Sequence, residues 1–347
     1  MKLLKRIIWG IVITLLTLVI LLFGSIIVDG FFAAGRLDPL TNMSVTAADG
    51  TEIRAYLAKP AGEGPFPAVI MIHEFWGLRE DMLGKAEALA AEGYVVIAPN
   101  VFRNGTTNWL PSAIYKVITA DTAQIDSDVG AVYQWLTTQP EVQADRIAIM
   151  GFCFGGGTAL RYSVQNSQLA STAVFYGQVI TDPTQLQAIS GPVLGIFGGA
   201  DMSISQADVA ALEQGLDAAG VPNEITVYAG QPHAFVGSIE EINAGGADQE
   251  AWNQLLAFLQ RTLQEGAGAR SPNPPAWGQY PDRYRCATSC GWPSDIWGTC
   301  NMAPPVISSH SFHALCAGIA PRYDRKGEPF RGRCRLSRLG RCRGTGE

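Results

Sequence analysis

The sequence predicts an α/β fold, a mostly parallel central sheet covered by helices on both faces, preceded by an N-terminal transmembrane helix. Three observations carry this. Six short apolar runs (PAVIMI, YVVIAPN, RIAIM, STAVFYG, PVLGIFG and ITVYAG) recur along the chain with helix-patterned segments between most of them. Near-continuous apolar strands alternating with helices indicate a parallel sheet buried on both faces. An uncharged run, Ile7–Val28, stands apart at the N-terminus. The overall composition, 47% hydrophobic against 16% charged, supports a sizeable core.

The elements follow in order. Lys2, Lys5 and Arg6 precede the 22 residues of Ile7–Val28, which as a helix extend about 33 Å, enough to cross a hydrocarbon core. Residues 1–30 therefore read as a basic cytoplasmic flank and single-pass anchor, with the body of the chain outside the cytoplasm by the positive-inside rule. Cleavage near Ala33-Ala34 and secretion is the alternative. Residues 31–41 read as a linker. MSVTAADGTEIRAYLAKP alternates around Asp49-Gly50, a hairpin signal. Strands are expected at Pro67–Ile72, in YVVIAPN, at Arg146–Met150, in STAVFYG and PVLGIFG, and at Ile225–Gly230. Helices are expected at Arg79–Gly93, Asp121–Gln139, from the Cys153 turn through about Tyr162, at Gln206–Ala219 and at Gln249–Leu263. One domain thus spans residues 42–265.

The remaining segment, 266–347, differs in texture. It holds nine of the twenty prolines, six of the seven cysteines, and twelve Lys/Arg against five Asp/Glu. A disulfide framework and a zinc site built on Cys286, Cys290, His310, His313 and Cys316 are two readings. The favoured one is a disordered or non-native extension resembling out-of-frame translation. The body before it is acidic, which argues against nucleic acid as a partner.

GFCFGG, Gly151–Gly156, places a cysteine among glycines where a strand hands over to a helix. A nucleophile on such an elbow sits in a strained conformation at a helix N-terminus, where free N–H groups favour a thiolate and then an oxyanion. A thiol nucleophile wants a histidine base and a carboxylate to orient it. Asp201 follows PVLGIFG in GGAD, and His233 follows ITVYAG in AGQPHAF. Nucleophile, acid and base thus come in the order Cys–Asp–His, each after its own strand, as in the α/β-hydrolase arrangement. The oxyanion hole is expected from the backbone N–H groups of Phe154 and Phe75. His73 is read as a supporting or structural residue, since HEFWG is not H-E-x-x-H. Phe75, Trp76, Phe102, Trp109 and Phe235 point to an apolar pocket.

GFCFGG, GGAD and HAF, with HEFWGL upstream, resemble the dienelactone hydrolase family, a cysteine branch of the α/β-hydrolases, over about residues 42–264. The resemblance implies Cys153 as nucleophile, Asp201 as orienter and His233 as base, with no metal or organic cofactor. It implies that Glu74 contacts the thiol and helps switch its reactivity; read alone, Glu74 could cap the next helix or meet a local arginine. It also places Arg103 near an arginine that binds the substrate carboxylate. Ala234-Phe235-Val236-Gly237 is apolar where the family's pocket has a serine and an arginine, which points away from the dienelactone itself. The expected function is a membrane-anchored hydrolase of a small-molecule carboxylic ester or lactone, acting through an acyl-enzyme. A general carboxylesterase or thioesterase, and an inactive binding module of the same fold, are the alternatives.

Overall fold

The computed structural model describes residues 2–103 and 105–265, with short backbone pieces at 335–336 and 342–343. These last pair as a two-residue antiparallel ladder. The disulfide and zinc readings of the C-terminal segment lie outside the described residues.

An eight-stranded sheet organises the body: β1 (Met43–Thr46), β2 (Glu52–Ala58), β3 (Phe66–Ile72), β4 (Val95–Pro99), β5 (Val142–Phe152), β6 (Ser171–Phe175), β7 (Val193–Gly198) and β8 (Asn223–Tyr228). They lie in the order β1-β2-β4-β3-β5-β6-β7-β8. The first hairpin pairs antiparallel, turning at Gly50 with φ 83°. β2 meets β4 antiparallel, and every later pairing is parallel. Strands β3, β4, β6 and β7, and β5 from Ile147 onward, are buried along nearly their whole length, as expected for a sheet covered on both faces.

Nine α-helices lie among the described residues. They are α1 (Lys2–Ala33), α2 (Glu80–Ala91), α3 (Leu110–Ile118), α4 (Thr122–Thr137), α5 (Phe154–Gln165), α6 (Pro183–Leu186), α7 (Gln206–Ala219), α8 (Ile239–Ala244) and α9 (Ala247–Leu259). Their ends carry the expected signals. Asp121 caps α4 by accepting from the N–H groups of Ala123 and Gln124. Ser238 and Glu241 form a capping box at α8, and Gly220 closes α7 in the left-handed conformation.

The core divides as the sheet requires. On one face Leu89, Trp252, Leu255 and Phe258 pack over Val69, Met71 and Met150. On the other, Val129, Val132 and Leu136 cover Ile70, Ile72 and Ile149.

Several segments depart from expectation, the short helices α6 and α8 among them. Residues 35–40, read as linker, form a 3-10 turn whose Leu37 and Leu40 are buried, because both lie on the sheet-side core. Helix α3 was not expected from the sequence. Helix α1 is long and apolar enough to cross a membrane or serve as a signal sequence, and its most apolar window buries nothing.

Candidate active site

Sheet register builds the site. Ile72 pairs with Gly151, and Phe152 with Phe175. Two residues beyond the first pair lie Glu74 and Cys153; one beyond the second lie Cys153 and Tyr176. Three neighbouring strands therefore deliver Glu74, Cys153 and Tyr176 side by side at their carboxyl ends, where ligands of such sheets bind.

Cys153 occupies a strained position, φ 53° and ψ −115°, between β5 and α5. Left-handed backbone at a non-glycine residue costs of order 1–3 kcal/mol and is held by its surroundings. Those surroundings are glycines for a steric reason. A Cβ on Gly151 would fall 2.1 Å from the Gly155 carbonyl oxygen, and one on Gly155 would fall 2.2 Å from that of Ile72. The turn is pinned by the Cys153 N–H donating to the Phe175 carbonyl at 2.9 Å.

The thiol is partly exposed, and the backbone N–H groups of Phe154 and Phe75 act to favour its thiolate. Even so, burial first, and the negative charge of Glu74 next, push the thiol up to about 11. Burial likewise raises Glu74, against the opposing pull of Lys85. Lys85 is itself buried on α2, 3.5 Å from the Asp81 carboxylate and 4.9 Å above the Phe152 ring.

The other half comes from β7 and β8. Asp201, whose side chain is fully buried, accepts from the N–H groups of Ser203 at 2.6 Å and Ile204 at 3.0 Å. Its second oxygen lies 2.7 Å from His233 Nδ1. A carboxylate at this distance can only accept, so Nδ1 carries the proton and the lone pair falls on Nε2. The Tyr176 ring meets that imidazole edge-on, with centroids 5.2 Å apart.

His73 has both ring nitrogens engaged. Nδ1 donates to the Glu74 carbonyl at 2.7 Å, and Nε2 accepts from the Val101 N–H at 3.2 Å. It is buried and neutral, its acidity shifted to about 4 by desolvation. It ties the loops after β3 and β4 together and has no nitrogen left for proton transfer.

The expected substrate-binding residues fare differently. Arg103, with φ 53°, spends its guanidinium on Asp128 (2.7 and 2.5 Å) and Asp49 (2.7 Å). Trp76 stacks on Phe75 at 4.5 Å, and Arg79 sits over its ring. Phe235 is buried between Tyr176 and Tyr228 as part of the core. Phe102 lies 5.1 Å from the His73 ring and 5.0 Å from that of Phe154. Trp109 instead donates from Nε1 to Ser25 of α1 at 3.1 Å. A cavity of about 660 Å³ opens nearby, lined by Arg79, Asp81, Thr106, Asn108 and Glu240. Cys153 does not line it, and the elbow rather than this cavity marks the chemistry.

Sequence reasoning missed Tyr176 and Lys85. Tyr176 could have been flagged by its place directly after a strand, ahead of Gly177, whose Cβ would strike Gly157 N at 2.3 Å. Lys85 offers no such signal, because a lysine in an amphipathic helix ordinarily reads as surface.

Sheet order, elbow and strand-end residues define an α/β-hydrolase. Residues 53–263 match the family model described as the dienelactone hydrolase family. The chain belongs to that family, whose members hydrolyse esters and lactones. A protein of Salmonella typhimurium named "Putative carboxymethylenebutenolidase" is 30% identical over 246 residues, covering 67% of this chain and 88% of its own. One of the same name from Yersinia pestis is 31% identical, covering 64% and 87%. A Klebsiella pneumoniae crystal structure, "Putative Dienelactone Hydrolase", is 30% identical with a TM-score of 0.56, covering 63% of this chain and 97% of its own.

Proposed function

We propose that this chain is a membrane-anchored hydrolase that cleaves a carboxylic ester or lactone through a Cys153 acyl-enzyme. The observation that carries the reading is Cys153 on a strained elbow, φ 53°, at the N-terminus of α5, with Asp201 holding His233 at 2.7 Å beyond the neighbouring strand ends. The backbone N–H groups of Phe75 and Phe154 are assigned the oxyanion of a carbonyl attacked there.

The steps follow from the groups present. The thiol loses its proton to His233 Nε2, and the thiolate adds to the substrate carbonyl. Phe75 and Phe154 hold the oxyanion. The C–O bond then breaks, and His233 Nε2 delivers a proton to the departing alkoxide. Water enters, His233 takes its proton, and hydroxide attack on the thioester releases the acid and regenerates the thiol. Asp201 holds the ring in the Nδ1–H tautomer throughout. Glu74 is assigned the switch. While charged beside the sulfur it disfavours the thiolate, so substrate that displaces or neutralises it releases the nucleophile.

A second reading of the substrate has its own support. Arg103 is committed to Asp128 and Asp49, and Phe235 to the core. A neutral ester or thioester therefore suits this site better than a lactone carrying a carboxylate.

The test is turnover by the full chain in mild detergent on activated esters, thioesters and a dienelactone, beside Cys153→Ala. Turnover lost by at least about 10³-fold in the variant is expected, with neutral esters preferred. Equal rates in both proteins would remove Cys153 from the chemistry.

A further inference from the structure

Helix α3 is built inside out. Its outward residues are Leu110, Ile114, Tyr115, Val117 and Ile118, the last 77% exposed, while Ser112, Ala113 and Lys116 are buried. A helix on a water-facing surface turns its apolar stripe inward. Here positions i, i+4, i+7 and i+8 face out, and a serine and a lysine face the protein.

The neighbour on that side is α1. The loop entering α3 is fastened to the C-terminal end of α1 by a series of contacts. Thr107 Oγ1 donates to Asp29 at 2.5 Å, Arg36 pairs with Asp29 at 2.7 Å, and the Thr106 N–H reaches the Ala33 carbonyl at 3.3 Å. Gly105 is required by this joint: a Cβ there would lie 2.2 Å from the Ala33 carbonyl oxygen. Trp109 reaches back to Ser25, one helical turn (about 6 Å) before Asp29. An indole at that depth of a spanning helix lies in the interfacial belt, where tryptophan is enriched. Between Trp109 and α1 runs a groove of about 640 Å³ lined by Ile20, Leu21, Gly24, Val28 and Phe32. The exposed face of α3 is thus continuous with the apolar surface of α1, and the joint fixes its attitude to that helix.

We infer that α3, with Trp109, is a second lipid contact that seats the catalytic body on the bilayer surface beside α1. The inference rests on the membrane-anchor reading above. It has a consequence for the site. Lys116, on the protein side of α3, lies 5.9 Å from the centroid of the Phe102 ring, and Phe102 packs on Phe154, the residue after Cys153. The lipid-facing helix is therefore two side chains from the nucleophile elbow.

The test is photolabelling of the full chain in phosphatidylcholine vesicles carrying a diazirine on the acyl chain, with labelled peptides mapped. Label is expected both in residues 7–28 and in 110–118. Label in 110–118 should fall at least about threefold in the double variant Ile114→Asp and Ile118→Asp, while label in 7–28 is unchanged. Label confined to 7–28 leaves the anchor standing and overturns this inference, as would a second copy of the chain crosslinked onto 110–118 in its place. Label in neither segment removes both readings, and label in 110–118 alone supports the lipid contact while removing the anchor.

Discussion

The two halves of the site are prepared in opposite ways. The half on β7 and β8 is finished: Asp201 is clamped by two backbone N–H groups and already holds His233 at 2.7 Å. The half on β3 and β5 is held back. Burial first, and then the Glu74 carboxylate, push the Cys153 thiol up to about 11. The contrast teaches where control resides. Orientation of His233 is a rigid property of the fold, whereas the charge state of the Cys153 thiol answers first to burial and then to the Glu74 charge. A protonated thiol is also the form that resists oxidation.

The contrast can be broken most forcefully at the finished half. Asp201→Asn keeps the shape but removes the acceptor that selects the tautomer, and kcat should fall roughly 10²- to 10⁴-fold with KM changed far less. Steady-state kinetics on the preferred ester checks this; a loss confined to KM would mean that Asp201 only shapes the pocket.

A smaller effect separates His73 from the reacting groups. Its folded value of about 4 lies below the ordinary 6.5 of histidine. The unfolded chain thus takes up a proton first as pH falls. His73 stabilises the fold fully above about pH 6.5 and loses that contribution between about 6.5 and 4, a swing of roughly 3 kcal/mol. Glu74, raised by burial, acts in the opposite direction, so the quantity to read is the difference between wild type and His73→Gln. Thermal midpoints from pH 7 to 4 should fall less steeply in the variant, and parallel curves would refute a buried neutral imidazole.

The mildest change sharpens the held-back half. Glu74→Gln removes the negative charge beside the sulfur, so the thiol should titrate below about 11. Alkylation by iodoacetamide at fixed pH should then rise about tenfold, the size of one pKa unit. An unmoved pH–rate curve for alkylation would show that burial alone holds the thiol.

Much of this was legible before any coordinates. The strand runs and helix stretches read from periodicity reappear within a few residues; Gln206–Ala219 reappears at the same bounds. The elbow was legible because only glycine tolerates carbonyl oxygens just over 2 Å from where a Cβ would stand. Order along the chain placed Asp201 and His233 after their strands, and the structure joins them. What could not be read was who meets whom among side chains of similar chemistry. Arg103 might have faced a substrate, but Asp49 and Asp128, from distant stretches, converge on it. Five aromatics were read as one pocket, yet packing sends Phe235 into the core and Trp109 to α1. Helix α3 escaped notice because Leu110–Ile118 is short and carries a proline at its second position.

By itself, then, the sequence determined the alternating α/β architecture, the long apolar run, and the glycine-rich elbow with Asp201 and His233 after later strands. Each of these is written in local periodicity, local sterics or chain order. Only the tertiary structure decided that Glu74 and Tyr176 flank Cys153, that Lys85 lies buried beneath them, and that α3 turns its apolar face outward beside α1. These facts depend on register between strands and on contacts between residues far apart in the chain, and desolvation, which sets the charge state of the thiol, exists only once those contacts have closed.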